Sequence, residues 1–339
     1  MIYRNLEIQE NVKLGPLTTM KLGGESKFFV IVRTENEAKI ALEFAKNNNL
    51  PIFILGGGSN TLVRDEGFSG LTIKNEIFGI KEEKLSDEKI RFELGAGENW
   101  DEFVRLAVLE KVLSGIEAMV FIPGTAGALP VQNVGAYGQE IADVFVSLRA
   151  LNLESGKFEE FPKEKCEFSY RDSIFRNEAF GKYFITSIVI DLDKKQPKSP
   201  FYKQVENYFN ERNIDLEKVQ ARDVLFAVED IRKEKLPDPA EIASAGSFFK
   251  NAIIDGKKAE EIKEKFGEKI PLFDLHNGNY KISAGWLIEK TGLKGEEFFG
   301  MRVHSKNALV LTNINAENFS DLEKARAKII EEVKNKFGI

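Results

Sequence analysis

One cysteine and two histidines are spread over 339 residues, and each scarcity removes a class of protein. A lone Cys166 cannot close an intramolecular disulfide or furnish a structural zinc site, and such sparing use of cysteine fits a reducing cytosol. Neither His276 nor His304 sits in a recognisable hydrolase context, so a serine hydrolase would lack an evident base. No run is long and apolar enough to span a bilayer. The N-terminal MIYRNLEIQENVKLG lacks the basic segment and apolar stretch of a secretory signal. Positive charge is also short: 48 Lys plus Arg against 54 Asp plus Glu leave a net charge of -6, the wrong sign for a general nucleic-acid binder. The expectation is a soluble cytoplasmic protein with no nucleic-acid partner, no membrane partner and no metal centre, in which a local basic pocket remains compatible.

The chain is long enough for roughly two or three domains, and its 27 phenylalanines read as core filling. Residues 123–138, PGTAGALPVQNVGAYG, are the most distinctive stretch. Gly124, Gly127, Gly135 and Gly138 permit sharp turns and close main-chain approach, while Gln132 and Asn133 add directional donors and acceptors. The segment suits either a polar, flat, partly anionic ligand held against backbone or a buried glycine-rich connection without one.

SKFFVIV at 26–32 and PIFIL at 51–55 read as strands flanking a helix to about Asn48, opened by Thr34 and Glu37 as a capping box. The unit ends in GGGSN, residues 56–60, followed by a strand-like TLV; a dinucleotide-binding Rossmann turn would require a helix there. KIRFELGAG at 89–97 predicts strand and turn, with Asn99 and Glu102 capping a helix to about Lys111. VFVSLRALNLESG and FITSIVIDL predict two further strands, and KKQPKSP at 194–200 a boundary or mobile loop. Helices are expected over 221–235 and 256–266, then a strand at 308–314 and a terminal helix from near Ser320 with Glu323 completing its capping box.

Several short segments carry candidate chemistry. In FSYRDSIFR, Arg171 offers a planar donor fork to a carboxylate, or a structural pair with Asp172 or another acid. Lys235 in KEKLPDP suits a phosphate contact or a solvated helix end. In SAGSFFKN, Ser247 is placed either to donate a proton or hydrogen bond, or to cap a helix.

Taken in order, TTMKLGG at 18–24, GGGSN, PGTAGALPVQNVGAYG, YRDSIF, KLPDP, AGSFFKN and SAGWLIE at 283–289 resemble the bacterial UDP-N-acetylenolpyruvoylglucosamine reductases over almost the entire chain. The resemblance implies an α+β chain with a vanillyl-alcohol-oxidase-like, two-lobed FAD-binding fold and a C-terminal α+β substrate lobe. Its expected boundaries are 1–70, 71–217 and 218–339, with a tyrosine loop near 197–206 as in the subclass carrying that extra segment. It also implies a noncovalent FAD, held by Gly56, Gly57, Gly58, Ser59, Asn60, Gly124, Thr125, Gln132, Asn133, Gly135, Ala136 and Tyr137. NADPH would be the reductant, and a UDP-sugar the substrate of a monomeric enzyme of peptidoglycan precursor synthesis. By motif position Ser247 resembles the family's proton donor and Arg171 its carboxylate-polarising residue, with Tyr170, Tyr202, Arg232, Lys235 and Asn251 at substrate-contact positions.

Members of that family normally continue into a Pro-Glu-Val-Arg type segment whose glutamate assists protonation, whereas this sequence stops at NKFGI. A chain truncated after Ile339 and a natural lack of the glutamate are both open, and with them a catalytically weakened protein that still binds flavin and sugar nucleotide. An FAD oxidase of the same fold is a third reading, against which YRDSIF and AGSFFKN argue.

Overall fold

The apolar run in SKFFVIV builds a strand, Glu25–Val32, and the helix Glu35–Asn47 follows it. Thr34 caps that helix by accepting the Glu37 N–H through its hydroxyl at 3.1 Å, while the Glu37 carboxylate accepts from the N–H of Arg33 at 2.6 Å. The second arm of the expected box therefore closes one residue earlier than Thr34. Ala38, Ala41, Leu42 and Ala45 recur at helical spacing and are buried, as is Phe44. The Phe44 ring stands edge-on to Tyr3 and Phe28 with centroids 5.3 and 5.4 Å away. Truncating it to alanine would cost about 3–5 kcal/mol.

These elements belong to a computed structural model that describes residues 1–267 and 269–339. The chain forms two compact units whose segments interleave. The first comprises Met1–Val12, Glu25–Gly58 and Phe68–Lys233; the second comprises Lys13–Gly24, Ser59–Gly67 and Glu234–Ile339.

In the first unit a four-stranded sheet runs in the order Gln9–Lys13, Glu25–Val32, Phe68–Asn75, Ile52–Leu55. Phe68–Asn75 lies parallel to both neighbours, with Val32 opposite Asn75 and Leu55 opposite Lys74. The strand leading into Gly56 and the strand ending at Asn75 thus share their carboxyl ends. A five-stranded antiparallel sheet has the order Phe158–Pro162, Phe145–Asn152, Tyr183–Asp193, Lys89–Gly95, Ile80–Lys84. Its central strand is apolar almost throughout because both faces are covered: Ile188, Ile190 and Leu192 enter one core, while Phe184 joins the core of the other sheet beside Leu42, Phe44 and Ile73. Asn75 ties the sheets further, donating through Nδ2 to the Ile185 carbonyl at 2.8 Å. Asn99 caps the helix Trp100–Arg105 as expected, but the chain then widens into a π-turn over Leu106–Glu110 before Lys111.

The second unit holds a sheet ordered Ser244–Ser247, Val310–Asn313, Met301–Val303, Glu297–Phe298, and a three-stranded sheet of Ala252–Asp255, Asn279–Ile282 and Leu272–Asp274. Helices Gly256–Phe266, Ala284–Thr291 and Phe319–Phe337 complete it. Met20 and Leu22, from the short N-terminal insertion, pack in its core with Ile288, Met301, Leu311 and Ile329.

Two local expectations are corrected here. The terminal helix begins at Phe319 with Asn318 as its cap, accepting the Asp321 N–H at 3.0 Å, so Ser320 and Glu323 form no capping box. The reason is tertiary: the N–H groups of Phe319 and Ser320 already donate to the Asp65 carboxylate, at 2.6 and 3.0 Å. The TLV after GGGSN is not a strand either. Val63 is buried against Gly23, and the chain makes single bonds such as Gly24 N–H to the Arg64 carbonyl at 2.9 Å rather than a ladder.

Candidate flavin and substrate site

Two glycine-rich segments far apart in sequence cross in the first unit with almost no room between them. A Cβ on Gly57 would lie 3.0 Å from Gly124 Cα, and one on Gly56 would lie 2.8 Å from the Thr125 hydroxyl. Gly124 itself has φ +131°, open to glycine alone. Backbone bonds hold the second segment to the turn after Lys89–Gly95: Trp100 N–H to the Gly124 carbonyl at 3.1 Å, Ala126 N–H to Glu98 and Gly127 N–H to Ala96, both at 2.9 Å. The result is a backbone-lined cradle at the carboxyl ends of parallel strands, where α/β sheets place ligands. Its bareness and polar main chain suit a flavin dinucleotide.

The polar side chains of the segment divide the work. Asn133 is fully buried and spends its amide on the fold, donating to the Ser169 carbonyl and accepting the Ala142 N–H, both at 3.1 Å. Its side chain is thereby committed to protein. Gln132 is half-buried and makes no side-chain hydrogen bond among the described residues, and Ala136 pairs with Gln139 in a two-residue ladder.

Arg171 docks on this same segment. Its guanidinium donates to the Gly135 carbonyl at 2.5 Å and to the Asn133 carbonyl at 3.4 Å, while Arg176 holds the Arg171 carbonyl at 2.6 Å. The expected alternative of a pair with Asp172 is not formed; Asp172 instead accepts from Asn177 at 3.1 Å, and no acid pairs with Arg171 among the described residues. Neutral carbonyls fix the fork without cancelling its charge. Tyr170 lies beside it, its ring centroid 5.8 Å from the guanidinium carbon and its side chain largely exposed.

Arg232, on helix Ala221–Lys235, likewise lacks a carboxylate partner among the described residues and donates Nε and Nη2 to the Phe121 carbonyl at 3.2 and 3.0 Å. Phe121 has φ +59°, and Asp101 takes its N–H, so the arginine and the aspartate clamp a left-handed residue at the mouth of the glycine segment. Burial pushes the Arg232 guanidinium below its ordinary range, Tyr137 and Asp101 oppose that, and Arg171 adds to it. Burial likewise raises the Tyr137 phenol, with Arg232 opposing and Tyr202 adding. The Tyr137 and Tyr202 rings meet edge-on, centroids 5.5 Å apart. Tyr202 also starts helix Lys203–Glu211, its carbonyl accepting from Val205 at 2.8 Å and Glu206 at 3.0 Å.

Ser59, Asn60, Lys235, Ser247 and Asn251 belong to the second unit. Ser247 ends a bulged edge strand opposite Val310, just after Gly246 at φ +70°. Its hydroxyl is exposed and makes no hydrogen bond among the described residues, while Phe248 and Phe249, 5.2 Å apart, anchor the following backbone in the core. It caps no helix. Asn251 accepts the Ala284 N–H at 3.1 Å, helping Ser283 cap the next helix, and its amide nitrogen makes no hydrogen bond among the described residues. Lys235 is the last residue of its helix, half-buried and without an ion pair among the described residues. Asn60 is exposed.

Sequence reasoning missed Lys74. It lies opposite Leu55, one residue before the strand ends at Asn75, and its ammonium donates to the Gly56 carbonyl. Burial lowers its pKa and Glu76 opposes the shift. The signal available was a lysine alternating with the apolar Leu71 and Ile73 in GLTIKN, one residue before the strand ends.

The chain matches two sequence families in succession: an FAD binding domain over residues 26–161 and the UDP-N-acetylenolpyruvoylglucosamine reductase C-terminal domain over residues 238–339. It is 36% identical to the UDP-N-acetylenolpyruvoylglucosamine reductase of Pseudomonas aeruginosa over 335 residues, spanning 99% of this chain and 97% of that one. Identity to the Flavobacterium johnsoniae protein of the same name is 37%, over 98% and 97% of the two chains. The crystal structure of the Thermus caldophilus UDP-N-acetylenolpyruvylglucosamine reductase superposes with a TM-score of 0.65 at 22% identity, covering 97% of this chain and 94% of that one, which fixes the fold. The α+β chain thus combines an FAD binding domain with the C-terminal domain of these reductases, and it belongs to the UDP-N-acetylenolpyruvoylglucosamine reductase family.

Proposed function

We propose that the protein reduces the enolpyruvyl double bond of UDP-N-acetylenolpyruvoylglucosamine to give UDP-N-acetylmuramate, with NADPH as reductant, in peptidoglycan precursor synthesis. The observation that carries the reading is an arginine fork, Arg171, fixed by the carbonyls of Asn133 and Gly135 yet left without an acid among the described residues. Such a fork suits a substrate carboxylate and the negative charge that develops on it as an alkene conjugated to it accepts hydride. Bound FAD would supply the hydride chemistry, passing electrons from NADPH to C3 of the alkene.

The remaining steps belong to protein residues. Ser247, exposed at the end of the strand Ser244–Ser247, donates the proton to C2. Lys235, unpaired among the described residues, suits the substrate diphosphate, and Asn251 presents its amide donors to the sugar. Tyr170, Tyr202 and Arg232 complete the substrate contacts, Arg232 also holding the Phe121 turn. The flavin is held noncovalently: residues 56–60 and 123–138 contain neither histidine nor cysteine, and burial pushes the Cys166 thiol up to about 12.

The test is an anaerobic two-step assay on the purified protein. NADPH should bleach the bound flavin, and UDP-N-acetylenolpyruvoylglucosamine should restore its colour while gaining two hydrogens. A flavin that is bleached but never re-oxidised by this substrate would reject the assignment.

A further inference from the structure

Lys74 occupies a position that the protein alone does not explain. Along Phe68–Asn75 the side chains alternate: Leu71 and Ile73 enter the core with Ala41 and Phe44, which puts Thr72 and Lys74 on the opposite face, where Thr72 meets the Ser26 hydroxyl at 2.6 Å. The ammonium is half-buried and bonded to a neutral carbonyl, that of Gly56. No carboxylate lies within ion-pair distance of it among the described residues, and the nearby Glu76 pairs with Arg33 at 3.2 Å. A partly buried cation without an anion is costly to keep. This one stands at the shared carboxyl end of two parallel strands, beside the loop Gly56–Gly58, within the FAD binding domain.

We propose that Lys74 supplies the counter-charge for the diphosphate of bound FAD, completing a cradle that is otherwise made of backbone. The inference rests on the FAD reading of the glycine-rich loop. It explains why the strand tolerates a half-buried lysine without an acid: the ammonium gains an anionic partner in the holoprotein, while its bond to Gly56 sets the loop in place beforehand.

Riboflavin carries the same ring without any phosphate, so it separates the charge from the pocket. Apoprotein stripped of flavin is titrated with FAD and with riboflavin, following flavin fluorescence, in the parent, Lys74→Met and Lys74→Arg. Loss of a charge-assisted contact predicts FAD affinity about 10- to 100-fold weaker in Lys74→Met, unchanged riboflavin affinity, and FAD affinity close to the parent in Lys74→Arg. Equal FAD affinity in all three proteins would overturn the proposal. So would equal losses for FAD and riboflavin, which would make Lys74 a loop support, or a defect confined to the concentration of NADPH needed to bleach the flavin, which would assign the charge to the reductant's diphosphate. A parent apoprotein that takes up no FAD would instead refute the FAD reading itself.

Discussion

Removing the Ser247 hydroxyl should separate the two half-reactions without harming the fold. The Oγ atom makes no hydrogen bond among the described residues and is exposed, so Ser247→Ala strands no buried partner and creates no cavity. Its effect on stability should stay within about 0.5 kcal/mol, the usual span for such surface changes. The strand pairing opposite Val310 and the Phe248 N–H bond to the Leu309 carbonyl at 2.7 Å are main-chain contacts that alanine retains. Against that small structural cost, loss of a positioned acid slows proton transfer by about 10²- to 10⁴-fold. Stopped-flow absorbance of the flavin reads both steps in one preparation: bleaching by NADPH should keep its parental rate, and re-oxidation by the enolpyruvyl substrate should slow within that range. Equal slowing of both steps, or a melting temperature well below the parent, would refute the argument and give Ser247 a packing or flavin-orienting role.

Arg171→Lys keeps the charge but cannot span the Asn133 and Gly135 carbonyls, so kcat/KM for the sugar nucleotide should fall by about 10²-fold with FAD content unchanged; unaltered turnover would mean that charge alone suffices. Tyr202→Ala removes the edge-on contact with Tyr137 and should weaken sugar-nucleotide binding by about 3- to 10-fold while NADPH still bleaches the flavin, which a ligand titration checks. The His304 Nδ1 is buried without a hydrogen-bond partner among the described residues, and burial, Lys306 and Arg302 all hold its pKa below the ordinary 6.5. The unfolded chain therefore takes up this proton first, so the stability that neutral His304 contributes is present above pH 6.5 and is lost as pH falls below it. Melting temperatures measured across that range should decline toward acid in the parent and less steeply in His304→Gln; identical slopes would assign the decline elsewhere.

What the sequence determined by itself was local. Alternation and continuous apolar runs set the strands Glu25–Val32, Ile52–Leu55 and Tyr183–Asp193, and helical spacing with a threonine cap set Glu35–Asn47, because each pattern acts over a few residues. The motif order from GGGSN to SAGWLIE was enough to name the family. Tertiary structure decided whatever depended on residues distant in sequence. Asp65 took over the start of the terminal helix and left Ser320 and Glu323 without a capping role. Asn133, a directional donor and acceptor on paper, spent its amide inside the fold, and Arg171 settled on carbonyls where Asp172, its neighbour in sequence, had been the evident partner. Lys74 reaches Gly56 only because the parallel strands Ile52–Leu55 and Phe68–Asn75 bring their carboxyl ends together, and Gly57 lies against Gly124, a residue far from it in sequence. Periodicity reports which face of an element is buried; it carries no information about what meets that face, and the cradle and its charges are made of such meetings.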